Sequence, residues 1–365
     1  RHYNANVHRG LHQLSQEASI AYEDAHDRVA EFIGAEGREE IVFNKNATES
    51  LNTVAYAWGL AELSEGDEVV LTEMEHHASL VTWQQIAQKT GAQVKYIQVD
   101  EDGWHDFVAE LEDARGIDTS DLDGFLAAME DSHDYFDDHG CVASDLGIEE
   151  PISKAVSQDR AARIYDRALD GATLDNEEVR DFRAFMLERI GEWNSETDWV
   201  TQFHLGAIRD YRWDLYDELG PDTGGDISTQ DIEIVDNIEY FLNTFDGDLD
   251  VILYTLDPTH YPTIATIARA YPNVSLGAAW WFNDSPFGME QQLKDVGTVD
   301  VLSNYAGMVS DSRKLVSYSS RFEMFRRSLA NAVADMVERG QIPQPEAQDL
   351  VERMSYERPK ELFGF

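Results

Sequence analysis

The chain has 365 residues, 42% of them hydrophobic, enough apolar content to bury a sizeable core, which excludes a disordered or fibrous protein. Its 28 basic and 71 acidic residues leave a formal net charge of −43, which repels phosphate backbones and anionic lipid heads and argues against nucleic acid or a membrane as partner. The acids run along the whole chain and only a quarter of the basic residues are Lys, the composition of a surface adapted to molar salt, where the Debye length falls to about 3 Å and self-repulsion is tolerable.

The single cysteine, Cys141, excludes an internal disulfide and a Cys-rich metal site, fits a cytoplasmic protein, and reads as a small buried residue. Arg1-His2-Tyr3-Asn4 is not a signal peptide, and Arg1 in place of an initiator Met reads as an incomplete start. No apolar run approaches the roughly 20 residues that span a bilayer.

Ala18, Ala21, Ala25, Val29 and Phe32 recur at helical spacing, predicting an amphipathic helix over 15–33 that Gly34 stops. A short β-type run, Ile41-Val42-Phe43, then a polar turn, Asn46-Ala47-Thr48, lead into a helix with Leu51, Val54, Ala55 and Trp58 on one side. A strand over 68–72, a helix over 79–89 and a strand over 94–97 follow, which is βαβ logic with a parallel sheet.

After about residue 105 the rhythm changes to long polar helices between widely spaced apolar runs: Cys141-Val142-Ala143-Ser144, Trp199-Val200-Thr201-Gln202-Phe203, Val251-Ile252-Leu253-Tyr254, Leu276-Gly277-Ala278-Ala279-Trp280 and Ala306-Gly307-Met308-Val309-Ser310. Each is followed by polar residues suited to a site: Asp145, His204, Asp257, Asn283 with Asp284, and Asp311 with Arg313. Catalytic groups of a β/α barrel sit at the C-terminal strand ends, so the expected fold class is α/β, an incomplete (β/α)8-type barrel made of its last five strands and preceded by a βαβ fragment. A final helix with Phe322, Phe325, Leu329, Val333 and Met336 on one face, and Gly340 past its end, completes the outer ring.

Between strand and helix, the backbone N–H groups of Asn46-Ala47-Thr48-Glu49 can hold a phosphate, although an ordinary N-cap uses the same residues. His76 and His77 follow a strand end, where an imidazole can stack on an aromatic cofactor; adjacent histidines point apart, which disfavours joint chelation. In order, Asn4-Ala5-Asn6-Val7-His8-Arg9-Gly10-Leu11-His12, Ala47-Thr48-Glu49 and Met74-Glu75-His76-His77-Ala78 with Trp83-Gln84 closely resemble the start of cysteine desulfurases of the class V aminotransferase family, over residues 1–104. The resemblance implies a fragment of a pyridoxal phosphate (PLP) transferase large domain, with Ala47 and Thr48 on the cofactor's phosphate and His77 stacked on its ring. Thr82 and Ser79 stand where the family usually has Pro and Asn. The family's Schiff-base Lys and sulfur-accepting Cys lie downstream of the matching segment: Cys141 is in no matching context, and none of Lys154, Lys294, Lys314 or Lys360 is in a Ser-His-Lys setting. Desulfurase activity is therefore not expected.

Further on, Asp311-Ser312-Arg313 offers a carboxylate and a guanidinium two residues apart, on one face of a regular strand, which suits a sugar acid as well as it suits a surface ion pair. Trp280 and Trp281 can wall a pocket or fill a core; His204 can be a ligand, a base or a satisfied core histidine. Together with Gln202-Phe203-His204-Leu205-Gly206-Ala207 and Gly220-Pro221-Asp222-Thr223-Gly224, these residues resemble uronate isomerases of the amidohydrolase superfamily, over residues 105–365. That resemblance implies interconversion of D-glucuronate and D-fructuronate, or of the galacturonate pair, at a site supported by a divalent metal, zinc or manganese. On it, Asp311 is metal ligand and proton carrier, Arg313 binds the substrate carboxylate, Trp280 or Trp281 shapes the pocket, and His204 faces the same site. The family's other metal ligands, a His-x-His pair on the first barrel strand, have no counterpart in this sequence, and Leu146 follows Ser144-Asp145 where the family has His. Isomerase activity is expected to be impaired, and a non-catalytic hybrid in which neither site is complete is the alternative reading.

The chain therefore reads as two domains, 1–104 and 105–365, and both segments are acidic. Their junction, Asp100-Glu101-Asp102-Gly103-Trp104, lacks the Gly, Ser or Pro spacing of a tolerated fusion, and points to a rearranged gene, an assembly join or a chimera. A partial barrel exposes strand edges, so homo-oligomerisation or aggregation is expected.

Overall fold

The computed structural model describes residues 7, 13–45, 47–72, 77–97, 103–220, 223–299, 302–310, 312 and 315–364. The chain divides into two compact units, Arg1–Val99 and Asp100–Phe365.

In the first unit, α1 (Gln13–Ile33) buries Ser15, Ala18, His26 and Ala30 along one stripe. It ends as its sequence predicts: Gly34 takes φ +71°, and the N–H groups of Gly34 and Ala35 donate to the carbonyls of Glu31 and Ala30, the Schellman pattern. The expected strand at Ile41-Val42-Phe43 does not form; Ile41 is extended, but among the described residues 41–44 pair with no strand. Ala47 and Thr48 belong to α2 (Ala47–Val54), not to a turn before it. A π-turn (Ala55–Gly59) and α3 (Leu60–Glu62) continue it. Then β1 (Glu68–Thr72), α4 (His77–Thr90) and β2 (Gln93–Ile97) form the expected βαβ unit, with β1 and β2 parallel in the register Glu68↔Gln93 to Thr72↔Ile97.

The second unit opens with two helices, α5 (Gly103–Arg115) and α6 (Leu122–Asp138). Their Val108, Leu111, Leu122 and Phe125 form a core with Tyr165 and Phe185. These last come from α7 (Gln158–Leu169) and α8 (Asn176–Glu196), which follow β3 (Ala143–Ile148). A capping box starts α8: Asp175 Oδ1 accepts from the N–H of Glu178 at 2.9 Å, and Glu178 Oε2 from that of Asp175 at 3.1 Å. Such a cap is worth about 1 kcal/mol. Next come β4 (Val200–Leu205), β5 (Ala207–Ile208), α9 (Trp213–Leu219), β6 (Ile227–Ser228), α10 (Val235–Thr244), β7 (Val251–Thr255), α11 (Tyr261–Ala270), β8 (Val274–Leu276), α12 (Pro286–Gly297) and α13 (Leu315–Glu338).

Strands β3, β4, β7 and β8 make one parallel sheet in that order, while β5 and β6 form a small antiparallel hairpin. Alternation along the strands divides the side chains. Phe203, Leu205, Val251, Leu253, Val274 and Leu276 pack against the helices with Phe241, Ile264 and Leu329, whereas Val200, Ile252 and Tyr254 face the other way, with Ala306 and Leu362. Truncating a fully buried ring such as Phe203 to Ala costs about 3–5 kcal/mol.

Three expectations are corrected. The fifth apolar run is not a strand: the one bridge, Leu276↔Tyr305, lies just before it, and Gly307 at φ +96° leaves the extended conformation. The helix with Phe325, Leu329 and Val333 is not the last; α14 (Gln344–Glu352), a π-turn and α15 (Arg358–Phe363) follow, and α15 sets Leu362 on the sheet. Cys141 is exposed instead of buried, because it sits in the turn after α6, where its N–H donates to the Phe136 carbonyl, ahead of the strand.

Candidate active site

His204 lies within β4, not after it, on the face shared with Tyr254. The β3–β4 register pairs Asp145 with Gln202 and Gly147 with His204, which sets Asp145 diagonally beside His204. Asn194 of α8, fully buried, fixes that register by donating to Ser144 Oγ at 2.7 Å and Thr201 Oγ1 at 2.8 Å. The His204 Nδ1–Asp145 Oδ1 distance is 2.8 Å. An ionised carboxylate only accepts, so Nδ1 carries a proton, and in the neutral imidazole Nε2 then carries the lone pair. Nε2 is buried and has no hydrogen-bond partner among the described residues, and the residue is only 5% exposed. A buried nitrogen costs about 1–3 kcal/mol if neither protein, water nor ligand pairs with it.

Two aromatic rings hold the imidazole. Tyr254 stacks on it at 4.1 Å and 10°, and Trp280 meets it edge to face at 4.5 Å. The Tyr254 hydroxyl donates to Gln202 Oε1 at 2.9 Å, and burial pushes its pKa far up, so it stays neutral. His204, Trp280, Glu149, Arg183 and Arg209 line a cavity of about 530 Å³ beside the ends of β3 and β4. With Glu150 also in the lining, the charged groups are two of each sign, which suits a small polar ligand with an apolar face.

A second array adjoins it. Trp281, at φ +53°, lies 5.5 Å from Trp280, and the Arg209 guanidinium sits 4.8 Å over its ring. Arg209 is paired to Asp226 at 3.1 Å. Arg321 is paired to the buried carboxylate of Asp284, which lies just beyond the tryptophans.

Of the residues singled out from sequence, Asp145, His204 and Trp280 converge here, with Trp281 next to them. Asp311 and Arg313 lie outside the described residues. Ala47 and Thr48 open α2, and His77 opens α4, in the other unit. Sequence reasoning missed Tyr254, Arg209 and Asp226; alternation along β7 would have put Tyr254 on the face of Ile252, but nothing local marks the Arg209–Asp226 pair. Among the described residues no three His, Cys, Asp or Glu side chains are placed to hold a metal ion.

A parallel α/β sheet with polar groups on its open face defines the class, and the comparisons define the family. The glucuronate isomerase family model matches residues 69–363, and the class V aminotransferase model matches residues 1–120. A uronate isomerase from Thermotoga sp. (strain RQ2) is 55% identical over 267 residues, 73% of this chain and 59% of that protein. A cysteine desulfurase from Haloferax volcanii is 48% identical over 230 residues, 60% of this chain and 47% of that protein. The crystal structure of a uronate isomerase from Thermotoga maritima superposes with a TM-score of 0.70 at 48% identity, covering 81% of this chain and 67% of that one. The chain belongs to the glucuronate isomerase family, and its first part is similar to cysteine desulfurases: it is a two-part composite. It spans 59% of the length of the uronate isomerase relative it matches.

Proposed function

We propose that the cavity at His204 takes a hexuronate, D-glucuronate or the galacturonate counterpart, and serves its aldose–ketose interconversion. The observation that carries this reading is His204, whose buried Nε2 has no hydrogen-bond partner among the described residues and whose Nδ1 is held by Asp145, lining a cavity with an aromatic wall and two arginines. A hexuronate matches those surfaces: C–H bonds for Trp280, a carboxylate for an arginine, hydroxyls for His204.

The isomerisation breaks C2–H and forms C1–H while the O2 proton moves to O1, so it needs groups that hold a proton in transit and no external oxidant. The Nε2 lone pair is such a group. By family resemblance Asp311 is the metal ligand and proton carrier and Arg313 grips the carboxylate; Trp280 and Trp281 form the wall. A zinc or manganese ion would polarise the carbonyl. The donors on hand do not make a complete site for it: His204 Nε2 is one nitrogen, no three candidate ligands converge among the described residues, and the sequence has no His-x-His pair. No step is therefore derived through the metal. The incomplete donor set and a sheet equivalent to the later strands of a (β/α)8 barrel make the expected isomerase impaired. In the first unit, Ala47, Thr48 and His77 are remnants of a pyridoxal phosphate site that has no Lys in the required setting, so no desulfurase activity accompanies it. We place the protein in the cytoplasm; among the described residues no helix is long and apolar enough to cross a membrane.

The test is incubation with D-glucuronate in molar salt with zinc or manganese, following D-fructuronate by NMR. The reading predicts slow formation, below that of a full-length uronate isomerase and abolished in His204→Ala. Formation undiminished by His204→Ala would overturn it.

A further inference from the structure

We propose that the helical part of the second unit carries a separate binding site for a small aromatic carboxylate, in the cavity lined by α5, α7 and α8. The cavity holds about 590 Å³, the size of a small-molecule site, and Trp104, Tyr165 and Phe182 supply aromatic surface to it. The Trp104 ring lies 5.9 Å from that of Tyr165 and 5.6 Å from that of Phe182, edge to face with both. Two side chains of the lining can only donate hydrogen bonds. Trp104 Nε1 is buried and has no hydrogen-bond partner among the described residues. Arg183, exposed on α8, has no ion-pair partner among them. The Tyr165 hydroxyl already donates to the Thr119 carbonyl at 2.7 Å, and burial pushes its pKa up to about 12, so it brings no negative charge near neutral pH.

The charge of the lining departs from that of the molecule. The chain has 71 acidic residues among 365, yet among the described residues none lines this cavity. The cavity at His204 has Glu149 and Glu150, and the groove between α13 and α14 has Glu338 and Glu352. Aromatic surface, two donors without acceptors and no carboxylate together fit a flat apolar ring that bears a carboxylate, which a guanidinium grips in fork geometry. At molar salt the Debye length is about 3 Å, the length of a hydrogen bond, so such a contact persists while repulsion from distant acids is screened. Arg183 also lines the cavity at His204, so a test must tell the two places apart.

The test is calorimetric titration of the full chain in molar KCl with indole-3-acetate and, separately, indole-3-acetamide, which has the same ring without the charge. The expected result is saturable binding of the acid, at least about 10-fold tighter than the amide. Arg183→Met should lose about 10- to 100-fold in affinity for the acid, the worth of a charged hydrogen bond, with the amide unchanged. Ala168→Phe, which fills the cavity, should abolish binding of both. Trp104→Phe, which keeps a ring but removes the N–H, serves if Ala168→Phe does not fold and should weaken the acid several-fold. His204→Ala should bind the acid as wild type does. No saturable binding by wild type, equal affinity for acid and amide, undiminished binding in both Arg183→Met and Trp104→Phe, or loss of binding in His204→Ala would each overturn the inference and leave the hexuronate reading standing.

Discussion

Gly277, just past β8, and Tyr254 of β7 approach each other so closely that no side chain fits between them: a Cβ on Gly277 would lie 1.8 Å from Cε1 of the tyrosine ring. That space lets the ring lie flat against the His204 imidazole. Gly277→Ala is therefore expected to displace Tyr254 and to cost about 1–3 kcal/mol or more, the range for overpacking. Thermal melts and near-ultraviolet circular dichroism of the variant measure both effects. An unchanged melt would mean that the ring and the imidazole are not locked together.

Asp145 acts on His204 through its tautomer. Asp145→Asn removes the full negative charge that holds the proton on Nδ1, and the amide can equally well donate to that nitrogen. The expected result is at least a several-fold loss of glucuronate affinity with little change in melting temperature, since the Asp145 side chain is half-exposed. Paired calorimetry and melting curves check this.

Acid sensitivity should arise partly where α7 meets α8. Asp181 is ion-paired with Lys154 and Arg160, the latter at 3.0 Å, and the Lys154 contact leads in holding its carboxyl below the usual carboxylate value. A depressed carboxylate gives stability that is fully present above its unfolded pKa, about 3.9, and is lost as pH falls through the lower folded value. Asp181→Asn should lower the melting temperature at pH 7 and flatten its decline below pH 4. A parallel shift of the whole pH curve would contradict that.

The first unit should associate. Among the described residues β1 and β2 pair only with each other, and Phe32, Ile33, Trp58 and Leu60 are exposed. Free strand edges and apolar surface favour self-pairing. Light scattering on the eluting protein is expected to give a mass above the 41.3 kDa of one chain that rises with concentration. A constant single-chain mass at every concentration would contradict this.

What sequence could show follows from the physics of each element. β1 was legible residue for residue, because Glu68 to Thr72 is a β-type run bounded by a turn. β8 was not: its run was placed too late because Gly277 and the two alanines after it extend the apolar stretch beyond Leu276, while the close approach to Tyr254 that explains the glycine is a tertiary fact. β7 is buried on both faces, so its pattern could not say which residues face the site. Asp145, His204 and Trp280 were visible as polar or aromatic residues beside strands. Arg209 and Asp226 were not, since two-residue strands leave no periodicity and only the hairpin joins positions so far apart.

The central claim is that the His204 cavity binds a sugar acid, and the most direct measurement is calorimetric titration of the whole chain in molar KCl with D-glucuronate, beside His204→Ala. The account predicts saturable binding at one site per chain in the wild type and its loss in the variant. Equal binding by both would contradict it.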